Sequence, residues 1–196
     1  MNIAGIDEAG RGCIIGPMVM CCVNIDEKEQ DAWKLLGIKD SKQLTVPKRE
    51  KLYEKLINNV NYELQIYTAN EVDEAVLSST TNLNWLEADG TIRLLKGIDA
   101  KCYIDCPSTN TNSYKQYLKK ELTQDLIVEH KADVNYTVVG MASVIAKVTR
   151  DNIIHKIKKE VGFDFGSGYL NGTAIYEFLK NYKSKHIRKS WNYKMK

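Results

Sequence analysis

Two adjacent carboxylates, Asp7 and Glu8, end the apolar stretch Ile3-Ala4-Gly5-Ile6 and lead into a glycine turn, Gly10-Arg11-Gly12. A third, Asp105, ends Cys102-Tyr103-Ile104 in the same way. A fourth, Asp133, stands in Lys131-Ala132-Asp133 just after Leu126-Ile127-Val128. Carboxylates where buried strands run out are costly unless they are paired, hydrogen-bonded or bound to metal. In open α/β sheets, ligand sites gather at the carboxyl ends of strands. If the four converge, hard cations relieve their repulsion, and oxygen-only ligation selects Mg²⁺ or Mn²⁺ over zinc. Two such ions about 3.5–4 Å apart form a clamp for in-line displacement at phosphorus. Taken singly, the same residues have plainer readings. Asp105 could cap the turn after it, Asp133 the helix after it, and Asp7-Glu8 could be exposed loop charge.

The glycines between residues 5 and 12 imitate the spacing of a nucleotide-binding P-loop, and the chemistry excludes it. The Lys-Ser/Thr pair is replaced by Arg11-Gly12, and two carboxylates inside the cradle would repel a triphosphate. A glycine turn bearing one arginine still lets backbone N–H groups approach a sugar-phosphate chain closely.

The elements that must position these residues follow from periodicity. Residues 2–8 and 14–25 read as two strands around the glycine turn, the second with a dense apolar run from Met18 to Val23 typical of a strand buried on both faces. A short helix over 28–36 stops at Gly37, and Pro47 suits the first turn of a helix capped at Thr45 or Val46 that runs to Asn59. Residues 62–68 alternate as a half-exposed strand. Helices are expected over 70–77, 82–97, 112–122 and 138–161, with strands at 101–105 and 125–129 and one helix in the last thirty residues. The long helix carries a small-residue stripe, Ala142, Ser143 and Ala146, that permits close packing on the sheet. The 100s and 120s strands, joined by a helix, form a parallel pair with a right-handed crossover. The result is an α/β layered fold.

A length of 196 residues suits one domain with a short appendage, and 43% apolar with 27% charged residues excludes disorder, collagen and mucin-like stalks. The longest nearly apolar run, Cys13 to Val23, is broken by Gly16-Pro17 and falls short of the ~20 residues that span a bilayer. The opening residues show no secretory signal, so a cytoplasmic location and five reduced cysteines are expected. Cys102 and Cys106 have no second Cys/His pair to make a zinc site. The net charge of +3 hides an asymmetry. Residues 147–196 hold 12 Lys/Arg against four acidic residues, and the remainder carries −5. Such a basic end points to a polyanionic partner.

At this point the sequence closely resembles the ribonuclease HII (type 2 ribonuclease H) family, in its archaeal branch. The resemblance rests on Gly5-Ile-Asp-Glu-Ala-Gly-Arg-Gly12 with Gly16-Pro17, Lys39-Asp-Ser-Lys-Gln-Leu44 and Tyr103-Ile-Asp105. It continues in Lys131-Ala-Asp133, Ala142-Ser-Val-Ile-Ala-Lys-Val-Thr-Arg-Asp151, Gly166-Ser-Gly-Tyr169 and Arg188-Lys-Ser-Trp191. It implies a ribonuclease H-like fold: a mixed five-stranded sheet flanked by helices, with a small helical C-terminal extension. Residues 1–165 would form the catalytic domain and 166–196 a basic substrate-binding extension. It implies a two-metal site, Mg²⁺ or Mn²⁺, on Asp7, Glu8, Asp105 and Asp133. The implied activity is cleavage of the RNA strand of RNA/DNA hybrids and incision 5′ of ribonucleotides embedded in duplex DNA, leaving 3′-hydroxyl and 5′-phosphate ends.

By the same resemblance, the Gly10-Arg11-Gly12 backbone senses the 2′-hydroxyl, the group that distinguishes RNA from DNA. Tyr169 packs on the deoxyribose 3′ of the cut, and Lys42 contacts phosphate. Asn84, Ser143 and Lys147 fall in matching motifs near the site. Cys13 and Leu170 depart from the family pattern, each standing where proline is usual, and Leu170 bears on how Tyr169 is presented. The basic tail, with Lys183, Lys185, Arg188 and Lys189 among aromatics, fits a clamp on the duplex backbone. The chain is expected to act as a monomer without a membrane. No sliding-clamp peptide is recognised at its C-terminus, so that partner stays open. A non-catalytic hybrid-binding module gains nothing from clustered negative charge, and the basic aromatic tail disfavours a small phosphodiester substrate.

Overall fold

A computed structural model describes residues 1–38 and 44–192. Three antiparallel strands open the chain: β1 (Asn2–Ala9), β2 (Met18–Asp26) and β3 (Asn61–Tyr67). β4 (Lys101–Asp105) then pairs parallel to β1, and β5 (Leu126–Glu129) parallel to β4, giving the order β3-β2-β1-β4-β5. The mixed five-stranded sheet expected from the sequence is therefore present. The helices are α1 (Gln30–Leu35), α2 (Val46–Asn59), α3 (Ala69–Leu77), α4 (Leu83–Leu95) and α5 (Thr111–Leu118), followed by α6 (Ala132–Asn135), α7 (Thr137–Val161) and α8 (Ala174–Asn181).

Strand alternation splits the core. Ile3, Val19, Cys21 and Val23 face α2 and α7 on one side of the sheet, while Ala4, Ile6, Met20 and Cys22 face α4 and α5 on the other. A third cluster joins Ile14 and Ile15 to the end of α7, Phe165 and α8. α7 approaches β1 closely. A Cβ on Gly5 would lie 2.5 Å from the backbone carbon of Val138, so only glycine lets the helix sit there. The small stripe continues that contact, with Ala142 and Ala146 fully buried. All five cysteines are buried free thiols, and no described helix is long and apolar enough to cross a membrane.

Several boundaries differ from the sequence reading. The second strand starts at Met18 rather than 14, because Gly16 takes a positive φ of 96° and Pro17 has no N–H for the ladder. Ile14 and Ile15 instead donate their N–H groups to the Gly168 carbonyl, at 2.8 and 3.1 Å. The helix expected over 112–122 ends at Leu118. The short α6 was not anticipated. It begins after Lys131, the one non-glycine described residue with positive φ (60°), whose left-handed turn no local pattern announces.

Candidate active site

Register brings the first two carboxylates together. Ile6 pairs with Ile104 across the parallel β1–β4 ladder, so the next residues, Asp7 and Asp105, stand side by side on the α7 face. The left-handed turn at Lys131 swings α6 over the end of β4 and adds Asp133. Carboxylate oxygens of Asp7, Asp105 and Asp133 all lie within 4.8 Å of one another. Backbone and helix groups fix them in place. Glu8 N–H donates to Asp7 Oδ1 at 2.8 Å, Ala132 N–H donates to Asp105 Oδ1 at 3.3 Å, and the Ser143 side chain on α7 hydrogen-bonds Asp7.

The electrostatics are those of a crowded acidic site. Burial, with Asp105 and Asp133 adding repulsion, pushes the Asp7 carboxyl from 3.8 up to about 7 against the Ser143 hydrogen bond. Glu8 is driven well above the usual carboxylate range, first by burial and then by Asp7, Glu87 and Asp105. An all-oxygen donor set of this charge and spacing fits hard divalent cations. Glu8 stands outside the cluster of three because period-two alternation turns it to the opposite face from Asp7. It still lines the same cleft, a cavity of about 280 Å³ shared with Gly10, Gly12, Ser143, Lys147 and Tyr169.

The glycine turn forms one wall. Gly10 requires its residue type, since its φ is +82° and a Cβ would lie 2.5 Å from the Pro17 carbonyl oxygen. Gly12 does not: a Cβ there would meet nothing within 4 Å, so packing leaves the position open toward the cleft. Arg11 turns its guanidinium inward to Glu87 and Asn84, with Nη2 donating to Asn84 Oδ1 at 2.8 Å. Lys147 lines the cleft and pairs with Asp151 one turn on, at 3.5 Å. Lys42 lies outside the described residues.

Three buried charges complete the site: Arg150 and Glu87, for which the sequence suggests no role, and Arg188, which the sequence places in the basic tail. Arg150 lies over the Tyr169 ring at 4.8 Å and donates through Nη2 to the Ser167 carbonyl at 2.6 Å. Arg188 donates through Nη1 to the Arg11 carbonyl and through Nη2 to the Gly10 carbonyl, both at 2.6 Å, and through Nε to Gly16 at 3.2 Å. Glu87 is the third. Arg188 is fully buried, which removes it from the surface set of a basic tail and makes it a clasp on the glycine turn. Asp73 anchors that segment by accepting from Lys189 N–H, Ser190 N–H and Ser190 Oγ–H. Arg150 did carry a signal, since it continues the buried stripe of Ala142 and Ala146 at four-residue spacing. Arg188 carried none beyond its motif.

Leu170, one of the two departures noted in the sequence, packs half-buried into the third core cluster. The Tyr169 carbonyl beside it accepts from Asn171 N–H at 2.7 Å.

Comparison with known proteins agrees with this geometry. The family model described as ribonuclease HII matches residues 4–194. The ribonuclease HII of Methanocella arvoryzae is 41% identical over 201 residues, covering 97% of this chain and 88% of that one. The solved ribonuclease H2 of Pyrococcus horikoshii superposes with a TM-score of 0.86 at 38% identity, covering 97% of this chain and 94% of that one. The enzyme in the PCNA:RNase HII complex from Archaeoglobus fulgidus superposes with a TM-score of 0.90 at 31% identity, covering 100% and 98%.

Proposed function

The chain belongs to the ribonuclease HII family of divalent-metal-dependent endonucleases acting on the RNA of RNA/DNA hybrids, and from that premise we propose that it also incises 5′ of single ribonucleotides embedded in duplex DNA. The observation that carries this reading is the convergence of Asp7, Asp105 and Asp133 within 4.8 Å at the end of a cleft walled by the glycine turn. Asp7, Asp105 and Asp133, with Glu8 at the rim, would hold two Mg²⁺ or Mn²⁺ ions. Bound there, the ions supply activation of the attacking water and stabilisation of the leaving 3′ oxygen. The chain's own part is preorganisation. Ser143, the Ala132 N–H and the Glu8 N–H hold two carboxylates in fixed orientations before any ligand arrives.

Substrate selection falls to the opposite wall. The open space at Gly12 admits a sugar-phosphate backbone at van der Waals distance, where turn amides meet the 2′-hydroxyl. Tyr169, held by Arg150, offers a ring for the deoxyribose beyond the cut. Lys147, Asn84 and Arg11 lie close enough to serve the phosphates. Lys42 is kept as a phosphate contact by its motif alone. Residues 166–196 are read as the extension that carries the duplex, with Lys183, Lys185 and Lys189 as its surface charges. Action as a monomer and a cytoplasmic location are kept in this reading. The Archaeoglobus complex supports a sliding clamp as partner, with no segment of this chain assigned to it. The test is a duplex with one ribonucleotide, incubated with Mg²⁺ or Mn²⁺. A nick 5′ of that nucleotide, abolished by EDTA, is expected; intact duplex under all metals refutes the reading.

A further inference from the structure

Glu87 is a fully buried carboxylate outside the carboxylate cluster. It stands on α4 between Leu83 and Thr91 at four-residue spacing, and α4 packs on the sheet face to which Glu8 turns. Its oxygens lie 3.0 and 3.1 Å from Arg11 Nε. Asn84, three residues earlier on the same helix, takes the neighbouring Nη2 at 2.8 Å. A carboxylate removed from water persists only where a partner holds it. Here the partner is the side chain of the glycine turn.

Arg11 is thus held at both ends, its carbonyl by Arg188 and its guanidinium by Glu87 and Asn84. The Arg11 side chain keeps about a third of its surface exposed, whereas that of Glu87 keeps almost none. Arg11 lines two depressions. One is the carboxylate cleft, and the other is a groove of about 460 Å³ lined by Val76, Asn82, Asn84, Ser190 and Trp191. A backbone leaving the cleft along that groove crosses Arg11. The guanidinium is a rigid planar fork, so fixing its Nε edge also fixes the direction of its other N–H groups.

We propose that Glu87 is a positioning residue for the nucleic acid, holding the Arg11 guanidinium between the two depressions that Arg11 lines, without touching the substrate itself. This rests on the substrate reading of Arg11 given above. Simple electrostatics predicts the opposite sign. Deleting a carboxylate beside a polyanion tightens binding, whereas deleting the group that orients the cation weakens it. The sign therefore decides.

At pH 8, above the value of about 7 to which burial raises its carboxyl, Glu87→Gln preserves shape and removes the charge. Hybrid binding and nicking of the single-ribonucleotide duplex are measured over a salt series, with thermal melting to give the folded fraction. Kd and KM should each rise about fivefold, and the slope of log K against log salt should fall by about one, the share of one phosphate contact. Adding Glu87→Gln to Arg11→Ala should cost nothing further in kcat/KM. Glu87→Asp, which keeps the charge on a shorter arm, should fall between Gln and the parent. Binding equal to or tighter than the parent in Glu87→Gln overturns the inference, as does the same loss in both backgrounds. A parent that does not nick the duplex overturns the substrate reading instead, which keeps the two failures distinct.

Discussion

Asp7→Asn should make the metal-free protein more stable while destroying its activity. Burial and two neighbouring carboxylates raise the Asp7 carboxyl from 3.8 to about 7. Each unit is worth about 1.36 kcal/mol, so ionising Asp7 in the folded state at pH 8 opposes folding by roughly 4 kcal/mol. Asparagine fits the same space and can donate to the carboxylates beside it, at the expense of the Ser143 and Glu8 hydrogen bonds. A net gain of about 2 kcal/mol remains, or about 4–8 °C for a chain of this length. Because the folded-state value is raised, the native protein binds more protons than the unfolded chain between pH 4 and 7. Parental stability in EDTA therefore falls as pH rises through that window, and the advantage of Asp7→Asn is full at pH 8 and small at pH 5. Melting curves in EDTA and in Mn²⁺ at both pH values, beside a cleavage assay, read all of this. The parent should gain stability from Mn²⁺ at pH 8 and the variant much less. A variant that melts below the parent in EDTA at pH 8 would refute the view that burial, reinforced by the neighbouring carboxylates, makes ionised Asp7 destabilising in the free site.

The two glycines of the turn should separate in their effects. Gly12→Ala should leave the melting temperature within about 1 °C, since its Cβ meets nothing, yet lower cleavage at a single ribonucleotide at least tenfold. Gly10→Ala, with its positive φ and the Pro17 carbonyl in the way, should be destabilised by more than about 1 kcal/mol. Arg188→Lys keeps a charge but loses the fork that reaches three carbonyls, so urea denaturation should show a loss of about 2–4 kcal/mol. Its cleavage of the single-ribonucleotide duplex should fall more than that of a long hybrid if the turn it clasps reads the 2′-hydroxyl, as proposed above. Equal losses on the two substrates would leave Arg188 a purely structural role.

Much of the site was legible because its signals are local. An apolar run that ends in a carboxylate marks the region where a buried strand runs out: β4 stops at Asp105, β1 continues two residues past Asp7 to Ala9, and Asp133 follows β5 on α6. The stripe of Ala142, Ser143 and Ala146 likewise announces a helix pressed onto the sheet, which Gly5 confirms from the other side. Boundaries failed where a long-range partner replaced a local one. Ile14 and Ile15 read as strand, but their N–H groups go to Gly168, more than 150 residues away in the chain. The left-handed Lys131 that brings α6 over Asp105 has no glycine or asparagine to advertise it.

What the sequence by itself determined is the set of candidate metal-holding groups: which carboxylates follow apolar strand runs, that only oxygen ligands are on offer, and that a glycine turn follows the first of them. Period and residue type suffice for those conclusions because each depends on neighbours within one element. Tertiary structure alone decided that three carboxylates share one face while Glu8 turns to the other, a consequence of β1–β4 register and strand alternation. It also decided what the buried charges do. Glu87 and Arg188 look like ordinary surface residues in a string of letters, and the stripe that marks Arg150 as buried does not say what it touches. The energy that keeps them buried comes from partners distant in sequence, on the glycine turn and the Tyr169 loop, that only folding brings into contact.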